Sequence, residues 1–216
     1  MQRGIAIFDM DETLISSDFA WAEAPERLLH SMGIIPKEDL RSIFYNLGCT
    51  KLIVHLQNHY QLKWSENELF AMLSEYAAQD YSTKVTLKTG AADCVRKMRR
   101  AGYFTCLLTA NSPALVDIIR FRFGDQLPMD AWFSTKLIGH PKSDSRIYDL
   151  VSGYFGMTPS DCILFDDARY ATDAAHKAGI KVVRIIGRAM EPEDMHPYTC
   201  VQTLQDYSAT YNEAQK

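Results

Sequence analysis

The stretch Gly4-Ile5-Ala6-Ile7-Phe8-Asp9-Met10-Asp11-Glu12-Thr13 decides how the rest of the chain is read. Its first half is an unbroken apolar run, the signature of a strand buried on both faces rather than one with a wet side. The run then breaks into Asp-x-Asp-x-Thr. Two carboxylates two residues apart, where a strand opens into a loop, can both face one small cavity. In a parallel α/β sheet, ligands bind at the C-terminal strand ends.

The same grammar recurs downstream. Tyr103-Phe104-Thr105-Cys106-Leu107-Leu108 breaks into Thr109-Ala110-Asn111-Ser112-Pro113, and Cys162-Ile163-Leu164-Phe165 breaks into Asp166-Asp167. Lys181 to Ile186 reads as a further strand, Trp132-Phe133-Ser134 as a short one. Helical spacing fills the intervals: Ala91–Ala101 stopped by Gly102, Ala114–Phe123 by Gly124, a segment from Asp144 or Ser145 to Gly156, and Ala171–Ala178 by Gly179. The tail from Tyr198 to Tyr211 is expected to add an edge strand and a closing helix. Repeated strand–helix units predict an α/β fold, a doubly wound parallel sheet covered on both faces.

One region departs from that alternation. Phe19, Trp21, Leu28, Leu29 and Met32 recur at helical spacing up to Gly33, and Pro36 opens a stripe of Ile43, Phe44 and Leu47 ending at Gly48. A third stripe uses Leu52, Ile53, Leu56 and Tyr60. Ser65-Glu66-Asn67-Glu68 reads as a capping box before Leu69, Met72, Leu73 and Tyr76. Four helical segments without a strand between them predict an inserted all-helical module over 18–84, within a core formed by 1–17 and 85–216.

Composition excludes several classes. The 216 residues carry a formal net charge of −4, so general polyanion affinity is not expected, and the basic cluster Arg96, Lys97, Arg99 and Arg100 reads as a solvated helix face. Cys49, Cys94, Cys106, Cys162 and Cys200 are odd in number, widely spaced and without a C-x-x-C, which reads as reduced thiols in a cytoplasmic protein. No stretch reaches the roughly 18 apolar residues of a membrane span. His55 and His59 lie four apart, a metal-capable helical spacing, but the zincin glutamate is absent after His55; the expected role is a solvated or packed pair.

The strand ends collect a coherent set: Asp9 and Asp11, then Thr109 and Asn111, then Lys142, then Asp166 and Asp167. Carboxylates suit a hard cation, a hydroxyl and loop N–H groups suit phosphate oxygens, and one ammonium offsets charge on a transferred group. Together they suit phosphoryl transfer. The segments Asp9–Thr13, Leu107–Asn111, Lys142 and Ile163–Asp167 resemble, in order, the four motifs of the haloacid dehalogenase (HAD) superfamily. The likeness extends over the whole chain, with the helical insert where that family's type-one cap sits. Lys142-Ser143-Asp144-Ser145-Arg146-Ile147-Tyr148 looks like its Lys-Pro-x-Pro-x-x-Tyr segment without both prolines, and Ile147-Tyr148 favours Lys142 over Lys136.

The resemblance implies a Rossmann-like HAD core and a Mg²⁺-dependent phosphatase acting on a small phosphorylated metabolite. By that resemblance Asp9 is the nucleophile and Asp11 the general acid and base. Mg²⁺ is held by Asp9, Asp167 and the backbone carbonyl of Asp11, with Asp166 in support. Thr109, the Ala110 N–H and Lys142 hold phosphate, and Thr13 braces the loop. Asp11 separates a phosphatase from the family's dehalogenases. A phosphomutase of the β-phosphoglucomutase type is the alternative, and a receiver-like phosphate-accepting module a distant one. No nucleic-acid or membrane partner is expected, and the chain is expected as a monomer or homodimer. Two departures stand out: Glu12 where many relatives have glycine, and Ala171 where a polar residue is common.

Overall fold

The computed structural model describes residues 3–186 and 198–213. They form two compact units, Met1–Ser16 with Thr86–Lys216, and Ser17–Val85.

The first unit is built on a six-stranded sheet: β1 (Gly4–Phe8), β4 (Tyr103–Thr109), β5 (Ala131–Ser134), β6 (Cys162–Asp166), β7 (Lys181–Ile185) and β8 (Thr199–Val201). The order is β5-β4-β1-β6-β7-β8, and every pairing is parallel. β1 lies at the centre because both its faces bury: all five residues are inaccessible. The pleat sends alternate residues to opposite faces. Ile5, Ile7, Cys106, Leu108, Cys162, Leu164 and Val182 pack against Ile147, Tyr148 and Val151 of α7 (Arg146–Tyr154) and Ala174 and Ala175 of α8 (Arg169–Lys177). On the other face Phe8 stacks on Phe165 at 4.6 Å, and Phe165 meets Tyr207 of α9 (Leu204–Glu213) edge-on at 4.9 Å. The sheet is therefore doubly wound, as expected. From β1 the chain continues to β4 and β5 on one side and to β6, β7 and β8 on the other. The reversal of strand order falls between β1 and β6, the place where such sheets open a crevice.

Also in this unit are α4 (Ala91–Arg100), α5 (Pro113–Phe123) and a single turn, α6 (Thr135–Ile138). A two-residue antiparallel pair joins β2 (Ile15–Ser16) to β3 (Thr86–Leu87).

The second unit is helical: α1 (Asp18–Ser31), α2 (Leu40–His59) and α3 (Glu66–Thr83). α2 is broken at Gly48, whose φ of 74° and ψ of 168° are not helical, so four helical segments are present. Only glycine adopts such a backbone at little cost. The capping box at Ser65 is complete: its Oγ accepts from Glu68 N and its own N donates to Glu68 Oε2. The core of this unit is a cluster of Leu28, Leu29, Leu52, Leu56, Leu69 and Leu73 with their neighbours. Buried Asp80 accepts from Arg27 and pairs with Lys84 at 2.8 Å, so its charge is compensated.

Candidate active site

Asp9 follows the last residue of β1, and its N–H donates to the Phe165 carbonyl at 2.8 Å. That bond extends the β1–β6 ladder by one step and fixes Asp9 beside the end of β6, where Asp166 and Asp167 sit. Asp9 and Asp166 are buried and Asp167 half-buried. One carboxylate oxygen from each of the three lies within 4.8 Å of the others, an all-oxygen group able to hold a hard cation.

Lys142 is buried among them. Its Nζ donates to Asp9 Oδ1 and, at 2.8 Å, to Asp166 Oδ2. Asp166 Oδ1 accepts the Ala168 N–H at 2.9 Å, so both Asp166 oxygens are engaged by protein donors. Tyr148 fixes the approach of the lysine. Its hydroxyl lies 3.1 Å from the Lys142 carbonyl and 2.9 Å from the Ala171 carbonyl, tying the lysine loop to α8. Ala171, noted as a departure from the more common polar residue, thus contributes its backbone carbonyl. Lys136 is exposed at the start of α6, with its N–H 3.3 Å from Ser134 Oγ.

The electrostatics follow from four carboxylates around one ammonium. Burial pushes the Asp9 carboxyl well above its usual value; Lys142 pulls it back, and Asp166, Asp167 and Asp11 raise it again. Burial, followed by Asp166, raises Asp167 to about 7, with Lys142 opposing. Burial alone would discharge Lys142, but Asp166 and Asp9 outweigh it and hold the ammonium charged. The site carries more negative charge than Lys142 offsets, which favours occupancy by a cation.

Asp11 stands across the loop, half-buried, with Oδ2 accepting from the Asn111 side-chain amide. Asn111 N–H donates to Thr109 Oγ1 at 3.2 Å, and Ser134 Oγ–H donates to the Asn111 carbonyl at 2.6 Å. Thr109 is buried at the end of β4, and Ala110 is exposed at the turn that follows. In the sequence Asn111 stands among the strand-end residues without a task, and Ser134 reads only as part of a short strand. The signal was available only in part, since a residue two places after Thr109 has no sequence link to Asp11.

One expectation needs revision, and the Glu12 departure is accommodated. Thr13 Oγ1 is buried without a hydrogen-bond partner among the described residues, so its hydroxyl does not brace the loop. Glu12 does adopt a left-handed backbone, φ 53°, without being glycine. Lys88 Nζ holds it there, donating to the Glu12 carbonyl at 2.7 Å and to Oε2 at 3.0 Å.

Comparison with known proteins agrees with this architecture. Over 211 residues the chain is 23% identical to the Drosophila melanogaster protein named "Probable pseudouridine-5'-phosphatase", covering 93% of this chain and 90% of that protein. It is 27% identical over 179 residues to the validoxylamine A 7'-phosphate phosphatase of Streptomyces hygroscopicus subsp. limoneus, covering 82% of each. Among solved structures, CbbY from Rhodobacter sphaeroides in complex with phosphate superposes with a TM-score of 0.76 at 18% identity, over 94% of this chain and 95% of that one. The family model for haloacid dehalogenase-like hydrolases matches residues 6–185, and the chain belongs to that family.

Proposed function

We propose that the chain is a Mg²⁺-dependent phosphatase that hydrolyses a small phosphomonoester through a covalent phosphate on Asp9. The observation that carries this reading is the grouping of Asp9, Asp166 and Asp167 around the Lys142 ammonium, with Asp11 a few residues along the same loop. The phosphatase names of the relatives support the reaction class.

In this reading an Asp9 carboxylate oxygen attacks phosphorus as the ester P–O bond breaks, and Asp11 gives its proton to the leaving alkoxide. Water then attacks phosphorus, Asp11 takes back a proton, and the bond to Asp9 breaks to release inorganic phosphate. Lys142 keeps Asp9 oriented and offsets charge on the phosphoryl group, and Thr109 and the Ala110 N–H receive its oxygens. Asn111 holds Asp11 in place.

The donor set fits Mg²⁺. It is all oxygen, and the raised Asp9 and Asp167 carboxyls mark charge that one lysine does not offset. Asp9, Asp167 and the Asp11 carbonyl would hold the ion, with Asp166 supporting from behind; it would supply positive charge for the phosphate oxygens. The helical unit is read as the type-one cap that sets substrate choice. The five free thiols support a cytoplasmic setting.

The test is hydrolysis of p-nitrophenyl phosphate with Mg²⁺ and with EDTA, followed by sugar phosphates, nucleotides and phosphoglycolate. Free phosphate released only with Mg²⁺ is the expected result. Full-rate turnover in EDTA would refute the mechanism. Phosphate moved to a second hydroxyl of the same sugar, with none released, would make the chain a mutase instead.

A further inference from the structure

A second group of metal-capable side chains lies in the helical unit, apart from the carboxylates of the sheet. Glu38 precedes α2, and His55 and His59 lie one turn apart on its second segment. The break at Gly48 makes the meeting possible. A straight helix would carry His55 away from Glu38 by about 1.5 Å per residue, whereas the break lets the second segment turn back to it.

The three side chains converge on one point. Glu38 Oε1 lies 2.8 Å from His55 Nε2 and 3.7 Å from His59 Nε2, and one ligand atom from each falls within a 4.8 Å group. The imidazoles are stacked at 5.2 Å with an interplanar angle of 16°, and both Nε2 atoms face the same Glu38 oxygen. Tyr60 Oη donates to the same Glu38 oxygen at 3.2 Å.

Hydrogen bonding alone does not explain this arrangement. The His55–Glu38 distance is a hydrogen bond, but 3.7 Å from His59 is too long for one. A neutral His55 with its proton on Nε2 satisfies Glu38 but leaves His59 Nε2 turned to the same oxygen beyond bonding distance. A shared cation engages both imidazoles. Ligands about 2.0–2.2 Å from a tetrahedral zinc-like ion stand roughly 3.3 Å apart, and the observed 2.8 and 3.7 Å bracket that spacing. Tyr60 would then orient the carboxylate from outside, as hydrogen bonds to metal ligands commonly do. The side chains of His55, His59 and Glu38 are 28%, 48% and 25% exposed, which leaves room for entry and for a water as fourth ligand.

We propose that Glu38, His55 and His59 form a binding site for a transition-metal dication of the zinc class on the helical unit. Two imidazoles and a carboxylate select such ions over Mg²⁺, the reverse of the all-oxygen group at the sheet. The bound ion would clamp the segment before α2 to the helix after the break.

The test uses the tag-free full chain, stripped of metal and then kept in excess Mg²⁺ to fill the all-oxygen site. Co²⁺ is followed by its visible absorption and Zn²⁺ by calorimetry and thermal shift. The expected result is one Co²⁺ or Zn²⁺ per chain, with the strong visible bands of tetrahedral Co²⁺ and a rise in melting temperature. His59→Ala, at the most exposed of the three positions, should weaken binding at least tenfold and remove the thermal shift while circular dichroism stays unchanged. Glu38→Gln should also weaken binding. Absence of Mg²⁺-resistant Co²⁺ binding would overturn the proposal, as would equal affinity in wild type and His59→Ala. Phosphate-ester hydrolysis is read separately, so either proposal can fail alone.

Discussion

The side-chain amide of Asn111 donates to Asp11 Oδ2 across 100 residues of chain. It ties the loop after β1 to the turn after β4. Asn111 is itself fixed by its N–H to Thr109 Oγ1 and by Ser134 Oγ to its carbonyl, so one buried residue sets the position of Asp11. If Asp11 shuttles the proton, its placement matters more than its presence nearby.

Asn111→Ala should therefore lower kcat by about ten- to a hundredfold with little change in KM, the scale expected when a catalytic group is displaced by about an ångström. Stability should fall by only about 1 kcal/mol for the lost hydrogen bond. Steady-state hydrolysis of p-nitrophenyl phosphate measures the first and urea unfolding the second. An unchanged kcat would mean that Asn111 does not position Asp11.

Asp9→Asn separates chemistry from folding. The amide can still accept from Lys142, and the change removes one charge from a crowded set that raises the Asp9 carboxyl. If Asp9 is the nucleophile, activity should drop at least about a thousandfold. The melting temperature in EDTA should stay level or rise. Retention of more than a few per cent of the rate would exclude Asp9 as the nucleophile.

The legible parts of the molecule were those written locally. β1 and β6 announced themselves because unbroken burial forces an apolar run and the functional loop forces an abrupt polar end. Gly48 was readable as a helix break because its backbone leaves the helical region. β2 and β3 are two residues each and pair across the whole insert, too short for a period to show. α6 is a single turn and equally silent. The pairing of Asn111 with Asp11, of Lys88 with Glu12 and of Glu38 with His55 depends on chain segments brought together by folding. Sequence spacing marked His55 and His59 but could not supply Glu38.

If Asp167 holds the cation, its titration makes metal binding depend on pH. With its carboxyl raised to about 7, binding a cation below that pH must displace a proton. Mg²⁺ affinity should be about tenfold weaker at pH 6 than at pH 8 for one such proton. The metal-free fold should move the other way. A carboxyl with a folded value near 7 and an ordinary unfolded value penalises the folded state progressively as pH rises from about 4 to about 7, and Asp9 acts in the same direction. Calorimetric Mg²⁺ titration and melting curves in EDTA across that range would show both trends. A Mg²⁺ affinity that is flat from pH 6 to 8 would contradict the Asp167 assignment.

Glu12 and Lys88 form a compensated strain. A non-glycine residue at φ 53° costs about 1–2 kcal/mol, and Lys88 offsets it through two bonds to the same residue. Lys88→Met should cost about 1–2 kcal/mol, whereas Glu12→Gly should be close to neutral, since relief of strain opposes the loss of the side-chain pair. Urea midpoints of the two variants test this. A Glu12→Gly variant as unstable as Lys88→Met would show that the side-chain pair, not the backbone carbonyl contact, carries the stabilisation.

Among the described residues Lys142 is the cation that pairs with both Asp9 and Asp166, and all three side chains are buried. Lys142→Met keeps the bulk but leaves buried carboxylates without their partner, a loss of about 3–5 kcal/mol when one member of a buried pair is removed. The remaining carboxylates then gain more from a cation than they do in the wild type. Thermal stabilisation by Mg²⁺ should accordingly be larger in Lys142→Met than in wild type, whatever the variant's activity. The reason is that Lys142 and the cation compete to compensate the same charge, so removing one increases the effect of the other. Melting temperatures of both proteins, each with Mg²⁺ and with EDTA, decide the point. If the Mg²⁺-induced shift is equal in the two proteins, Lys142 and the cation act on separate groups, and Asp9 is not common to both.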